Sequence, residues 1–339
     1  MWIPVLLLLV GLVLLIKGGD WFVDGASGIA RRFYLPEILI GATVVSIGTT
    51  LPEVMVSAEA AMMGSGSIAY GNALGSIICN TALIAALTIA IRPSSAARKS
   101  LVLPVSFFLV AFGVYGFSAY VLGSFSRAVG IVLLGLFVVY MVTTVLRMKG
   151  SVPAEGADLS EEALEAKSGE DHTVESEEQG TKDKLWKDIL FLVIGAAVIA
   201  LGANLLVDNA IIVAQALGVS EKVIGLTIVA IGTSLPEFVT AITALVKGYS
   251  SLSLGNIIGA NLFNLVLVSG TAITISPFEL PLSGTIGGIN SSLVLDLPVV
   301  LLVMVLLSVP ALIKERLSRW QGIVLLGIYV AFMALQFVL

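Results

Sequence analysis

The sequence predicts an all-α integral membrane protein, with ten transmembrane helices arranged as two inverted five-helix repeats. Three observations predict it. The 339 residues are 58% hydrophobic and only 12% charged, with a mean hydropathy of +1.05, and a soluble domain carries about twice that charged fraction. Apolar runs of about 20 residues, the length that crosses a bilayer as a helix, recur along the chain. The chain also repeats itself: Gly41 to Asn80 reads GATVVSIGTTLPEVMVSAEA…GNALGSIICN, and Gly225 to Asn264, at an offset of 184, reads GLTIVAIGTSLPEFVTAITA…GNIIGANLFN.

Hydropathy places the spans near 2–28, 38–63, 69–91, 101–122, 127–147, 187–215, 222–246, 252–275, 293–313 and 319–338. The opening MWIPVLLLLVGLVLLIKGG lacks the basic start of a signal peptide and reads as the first span. Between the fifth and sixth spans lies a polar stretch, 149–186, rich in Glu, Gly and Ser. Such composition buries too little apolar surface to fold alone and reads as an acidic tether, with a short amphipathic helix allowed near 159–166. It lacks the spaced acidic loop of an EF-hand. The repeat extends beyond the signature blocks. Asp24 matches Asp208 and Pro93 matches Pro277 at the same offset, whereas SRAVGIVLLGLFVVYM from Ser126 matches SRWQGIVLLGIYVAFM from Ser318 at an offset of 192. The second half therefore gained eight residues between its third and fifth helices. The expected organisation is a first repeat over 1–148, the acidic linker 149–186, and an inverted second repeat over 187–339. An odd number of helices per half forces the second half to enter the membrane upside down, as in secondary transporters.

Charge tests this topology. With both termini outside, 15 of the 18 basic residues fall on the cytoplasmic side, and only Arg127 and Lys222 fall opposite, Lys17 being inside the first helix. That bias follows the positive-inside rule, and it places both termini outside and the acidic linker on the cytoplasmic side. The formal charge of −5 comes mostly from Glu155 to Asp183, which holds 11 acidic residues against Lys167 and Lys182. Cys79 is the only cysteine and His172, in the linker, the only histidine. Intrachain disulfides, multi-cysteine metal clusters and intramembrane histidine triads are excluded.

The chemistry lies in the repeats. Ser46-Ile-Gly-Thr-Thr-Leu-Pro-Glu53 puts a carboxylate into an apolar span, where insertion scales set the cost at roughly 3 kcal/mol. Pro52 lacks an N–H and its ring opposes the carbonyl of Gly48, so the helix is expected to loosen or break there and free carbonyls. Thr49 and Thr50, three and four residues before Glu53, share its helical face. Gly232, Thr233, Ser234, Pro236 and Glu237 repeat the arrangement. The third helix of each half adds Ser76 and Asn80, with Asn264 matching Asn80. Carboxylates, hydroxyls, amide oxygens and carbonyls are hard donors that suit Ca²⁺ and Na⁺. Two carboxylates match one Ca²⁺ or partly match several Na⁺, and the same oxygens cannot hold both loads at once. Gly71 and Gly75, like Gly255 and Gly259, read as helix-packing pairs. Asn72 and Asn256 read as caps or bridges. Asp20, Asp24, Asp208 and Asp296 read as interfacial, and Glu59 as facing a vestibule or another helix.

GTTLPE with GNALGSIICN, and GTSLPE with GNIIGANLFN, resemble the cation/calcium exchanger superfamily, specifically its prokaryotic sodium/calcium antiporters. The likeness covers nearly the whole chain except the linker. It implies two inverted five-helix halves with ions bound between the second, third, seventh and eighth helices, and the first and sixth sliding across the rest. It further implies Glu53, Glu237, Thr49, Thr50, Ser76, Asn80, Thr233, Ser234 and Asn264 as metal ligands, with backbone carbonyls of Ser46 and Ala230. Three positions depart from the family pattern: Asn264 stands where many members have Asp, Ala260 where a Ser would match Ser76, and Ile77 where an Asn is usual. The missing hydroxyl and carboxylate leave the Na⁺ count and the proton or K⁺ dependence open.

The function expected is a secondary antiporter exchanging Ca²⁺ for Na⁺ by alternating access, with no catalytic residues and no cofactor. Its partners are the two ions, with H⁺ as an alternative, and the lipid bilayer; no nucleic acid is implied, and the oligomeric state is left open. A Ca²⁺/H⁺ antiporter using the same glutamates is the nearest alternative. An intramembrane enzyme with Glu53 and Glu237 as acid and base lacks a nucleophile, a metal-binding histidine or a phosphate loop. A passive channel is disfavoured because the glutamates are single residues rather than rings lining a pore.

Overall fold

The computed structural model describes residues 2–33, 35–93, 96–151, 180–217, 230–282 and 284–338. Most of the acidic linker, with His172 and the stretch 159–166, lies outside the described residues, as do Lys222 and Gly225. Ten helical segments follow one another: α1 Trp2–Arg32, α2 Glu37–Met62, α3 Gly66–Ile91, α4 Arg98–Leu122, α5 Arg127–Ser151, α6 Gly180–Ala216, α7 as Ala230–Thr233 and Leu235–Val246, α8 Ser250–Ile275, α9 Ser292–Lys314 and α10 Arg319–Val338. Among the described residues, nine of these are long and apolar enough to cross a membrane, and the Leu235–Val246 part of α7 is a shorter apolar helix.

Burial ranks the helices. In its most apolar 18-residue stretch α8 is 83% buried and α3 72%, against 22% for α1, α5 and α6. The centre is thus the matched pair α3 and α8. The outer helices leave large apolar side chains uncovered, Trp2, Leu6, Val13 and Ile16 on α1 and Phe191 and Val193 on α6 among them. Such surfaces suit hydrocarbon rather than water.

α1 and α6 pack along most of their length, antiparallel. In lipid no hydrophobic force drives helices together, so close van der Waals approach must. Gly11, Gly18 and Gly25 recur every seven residues on one side, and a Cβ at Gly11 would sit 2.8 Å from the Gly202 carbonyl. The pair is tied by Arg32 Nη2 to Asp188 Oδ2 at 3.1 Å. Lys247, in the turn between α7 and α8, holds α1 through Asp24 Oδ1 at 2.8 Å and the Asp20 carbonyl at 3.0 Å.

The eight residues gained by the second half appear as an excursion between α8 and α9. Strand β1 (Ser124–Phe125) pairs antiparallel with β2 (Phe278–Glu279), and β3 (Thr285–Ile286) pairs with β4 (Ile289–Asn290) as a small ribbon. Phe278 packs on Phe125, whose ring meets those of Tyr70 and Tyr115 at a tilt. These contacts close the end of the bundle that carries the α2–α3 turn, the start of α9 and the end of α10.

Pro52 does not break its helix: the α-helix Ser46–Met62 runs through it. The loosening comes earlier, as a π-helical turn over Gly41–Val45. In the second half the break stands at Ser234, two residues before Pro236, where ψ is 8° and a new helix starts. π turns also interrupt α3 at Cys79–Ala85 and α8 at Asn264–Ser269, matched positions of the two repeats. A π turn widens the backbone spiral by one residue and leaves carbonyls poorly paired. Ser46 Oγ donates to the Gly41 carbonyl at 2.7 Å and Ser269 Oγ to the Asn264 carbonyl at 3.0 Å, each repairing one such gap.

Candidate ion-binding site

Glu53 and Glu237 come from matched positions in opposite halves, and both are fully buried. They are close enough for each carboxylate to act directly on the other. Both oxygens of Glu53 and Oε2 of Glu237 lack hydrogen-bond partners. Adjacent buried carboxylates without a counter-charge are strongly unfavourable, so the arrangement makes chemical sense only with a cation or proton supplied from outside. No arginine or lysine pairs with them among the described residues.

The hydroxyls converge across the halves. Thr50 Oγ1 donates to Glu237 Oε1 at 3.4 Å, and Thr49 also lies beside the Glu237 carboxylate. Thr49 Oγ1 also stands within hydrogen-bond distance of two alternative acceptors, the Ser46 carbonyl at 3.4 Å and Asn256 Oδ1 at 3.3 Å. Asn256 therefore bridges α8 to α2, its carbonyl lying 2.9 Å from Ser46 Oγ as an alternative acceptor to Gly41. Its match, Asn72, bridges α3 to α2 through the Glu53 carbonyl at 3.2 Å and Ser57 Oγ at 2.8 Å. Both amides thus fulfil the bridging expectation, yet with different partners in the two halves.

The two π turns deliver the amides. That of α3 packs on the Leu235–Val246 helix and that of α8 on the Ser46–Met62 helix. Asn80, buried, has neither amide atom hydrogen-bonded. Asn264 donates to the Ala260 carbonyl at 3.0 Å and keeps an unpartnered Oδ1. Cys79, beside Asn80 in the chain, lies within reach of Ser234, Glu237 and Glu53. Ser234 Oγ is buried without a partner. Ser76 and Thr233 line a cavity that runs from this region. Ala230 opens the short first helix of α7. Together the orphaned oxygens are hard donors, and they fit Ca²⁺ or Na⁺ in chemical type.

The cavity measures about 510 Å³ and is walled by α3 (Tyr70, Asn72, Ser76), Thr233 of α7, Asp296 of α9 and Gln336 of α10. Asp296, read from sequence as interfacial near the start of α9, also lines this cavity, and Gln336 carried no sequence signal. The cavity leads to the face on which α10 ends and α2 turns into α3. Matched glycines differ on the two faces. Among the described residues nothing lies within 4 Å of a Cβ built on Gly71 or Gly75. A Cβ on Gly259 would stand 2.6 Å from Ala42 Cα, and one on Gly255 2.9 Å from the Ile38 carbonyl carbon. The packing role expected for all four glycines holds for α8 and not for α3.

An inverted helical repeat in the membrane, with a buried polar centre and a cavity beside it, defines a membrane transporter of the antiporter class rather than an enzyme. Comparison with known proteins makes the class specific. The family model described as sodium/calcium exchanger protein matches residues 3–146 and 187–338. The chain is 34% identical over 337 residues to a putative antiporter, CaxA, of Alkalimonas amylolytica, covering 99% of each. It is 32% identical to the sodium/calcium exchanger MaX1 of Methanosarcina acetivorans, covering 98% of each. Among solved structures, the sodium-calcium exchanger NCX_Mj soaked with Na⁺ and Ca²⁺ superposes with a TM-score of 0.75 at 31% identity, over 98% of both chains. The chain belongs to the sodium/calcium exchanger family.

Proposed function

We propose that the protein exchanges Na⁺ for Ca²⁺ across the membrane by alternating access, with the ions held between α2, α3, α7 and α8. The observation that carries this reading is the pair Glu53 and Glu237, fully buried, adjacent, and with three of four carboxylate oxygens unpartnered. Their charge of −2 balances one Ca²⁺. Several Na⁺ would need further oxygens, for which Thr49, Thr50, Ser76, Asn80, Thr233, Ser234, Asn264 and the carbonyls of Ser46 and Ala230 are the candidates. Because both loads use the same carboxylates, one ion species must leave before the other enters, and that competition is exchange. The repeats 1–148 and 187–339 act as the two halves of the machine, with 149–186 as tether.

The unequal packing of the halves supports alternating access. The path past Gly71, Asn72 and Ser76 is open to one face, while its matched path past Gly255, Asn256 and Ala260 is packed against Ile38, Ala42 and Ser46. Exchanging these two packings would present the same carboxylates to the other face. On the basis of the basic-residue bias, the open face is the extracellular one and carries both termini, and the linker is cytoplasmic.

The test is ⁴⁵Ca²⁺ uptake into vesicles loaded with Na⁺. Uptake that depends on the outward Na⁺ gradient and disappears in Glu53→Gln and Glu237→Gln is expected. Uptake that ignores the Na⁺ gradient but follows a pH gradient would replace Na⁺ by H⁺ as the counter-ion. Asn at both 80 and 264 leaves the two glutamates alone to carry protons there. Variants that transport like the wild type would sink the site itself.

A further inference from the structure

The exchange reading leaves Asp296 unused. It ends the π turn Ser292–Asp296 that opens α9, and it lines the same cavity as Ser76, Cys79 and Thr233, the residues beside the carboxylate pair. Its Oδ1 accepts from Gln336 Nε2 of α10 at 2.9 Å, and no lysine or arginine pairs with it among the described residues. Across the cavity wall stands Tyr70 of α3, 4% exposed, whose hydroxyl makes no close hydrogen bond and has Ser292 and Asp296 as its polar neighbours. Ile68, Phe332 and Met333 make most of the outer wall apolar, with the Ser67 hydroxyl beside them. A negative charge without a basic partner, beside a buried phenol oxygen in a largely apolar mouth, is the chemistry of a cation-attracting group. An asparagine carbonyl would also accept the Gln336 bond, though more weakly.

We propose that Asp296, with Tyr70 and the Gln336 amide, forms an outer receiving site for a partly hydrated metal cation, through which Na⁺ and Ca²⁺ pass before reaching the central carboxylates. The proposal rests on the exchange reading. One carboxylate and two neutral oxygens bind too weakly to retain an ion stripped of water, which suits a waiting station rather than a trap. Apolar walls focus the field of the charge along the cavity. The attraction is proportional to ionic charge, so Ca²⁺ gains twice the free energy of Na⁺ and its fold-enhancement is the square.

The experiment uses the full chain in vesicles of defined orientation, with half-saturating Na⁺ and Ca²⁺ measured separately on each face. Asp296→Asn should raise half-saturating Ca²⁺ about 10-fold and Na⁺ about 3-fold at the face onto which the cavity opens. The same constants on the other face, and the rate at saturating ion, should stay near wild type. Tyr70→Phe should shift the constants in the same direction by less. Gln336→Leu, which breaks the tie between α9 and α10 but keeps the charge, should shift them less than Asp296→Asn. Unchanged constants in Asp296→Asn overturn the receiving site. So do equal shifts on both faces, or a Gln336→Leu effect as large as that of Asp296→Asn, because either outcome assigns Asp296 a structural tie. Wild-type vesicles that exchange nothing overturn the exchange reading and this inference with it. Wild-type exchange beside an unaffected Asp296→Asn overturns this inference alone.

Discussion

Glu53 and Glu237 are the residues on which the rest turns, because a buried carboxylate without a partner destabilises the protein that carries it. A bound cation removes that penalty, so ion binding and stability are linked. At a Ca²⁺ concentration about 100 times its Kd, wild type should gain about 2.7 kcal/mol of stability, visible as a raised Tm. Glu53→Gln and Glu237→Gln should show no such Ca²⁺ shift, while their Tm without Ca²⁺ or Na⁺ should equal or exceed that of the wild type. A Ca²⁺-dependent rise of wild-type size in either variant would contradict the assignment. The glutamates were legible in the sequence because a carboxylate directly followed a proline in an apolar span, twice, at one offset. Asp296 was legible as a charge but not as a cavity residue, and Gln336 and Tyr70 not at all. Nothing in their local pattern tells an interface from a vestibule; only the meeting of α3, α9 and α10 does.

At the level of helices, matched positions have unequal surroundings, and this gives opposite expectations for one substitution. Gly259→Ala pushes a methyl onto the Ala42 backbone and should destabilise this state by about 1–3 kcal/mol. Gly75→Ala meets no described neighbour and, as alanine in a helix, should leave Tm unchanged or slightly raised. Exchange should nevertheless slow in Gly75→Ala, since closing the open path requires α3 to adopt the close contact that α8 now makes. Thermal unfolding combined with ⁴⁵Ca²⁺ exchange on both variants checks this; equal destabilisation of the two would argue against unequal paths. The sequence could not supply this distinction, because both GxxxG pairs are the same motif. Nor did it supply the π turns. Pro52 and Pro236 drew attention to the wrong residues in the first half, where the tight packing of Gly41 on Leu252 and Asn256 accompanies a loosened turn upstream of the proline.

For the whole molecule, the balance of charge across a cycle sets its response to voltage. If three Na⁺ leave for each Ca²⁺ that enters, one net positive charge moves out of the vesicle per turnover, coupled at about 2.3 kcal/mol per 100 mV. Ca²⁺ uptake into Na⁺-loaded vesicles should then rise when the interior is clamped positive and fall when it is clamped negative. Uptake indifferent to potential would fix the ratio at two Na⁺, as the loss of a hydroxyl at Ala260 would allow. The motion behind the cycle is expected to involve α1 and α6, which pack tightly on each other along a glycine seam while exposing apolar side chains elsewhere. Their link to the rest of the bundle includes the Lys247 contacts with Asp20 and Asp24, which a sliding α1 would have to break.

By itself the sequence determined the membrane class, the helical spans, the inverted repeat and the two glutamates with their hydroxyl and amide companions. Each of these leaves a local or periodic mark: apolar length, offset, or a charge where charge is costly. Only the tertiary structure decided that the two carboxylates adjoin, that Asn256 and Asn72 bridge different partners, and that the matched glycines of α3 and α8 are packed unequally. Those facts depend on how helices distant in sequence are set against one another, and two identical motifs cannot encode which of them is packed at a given moment.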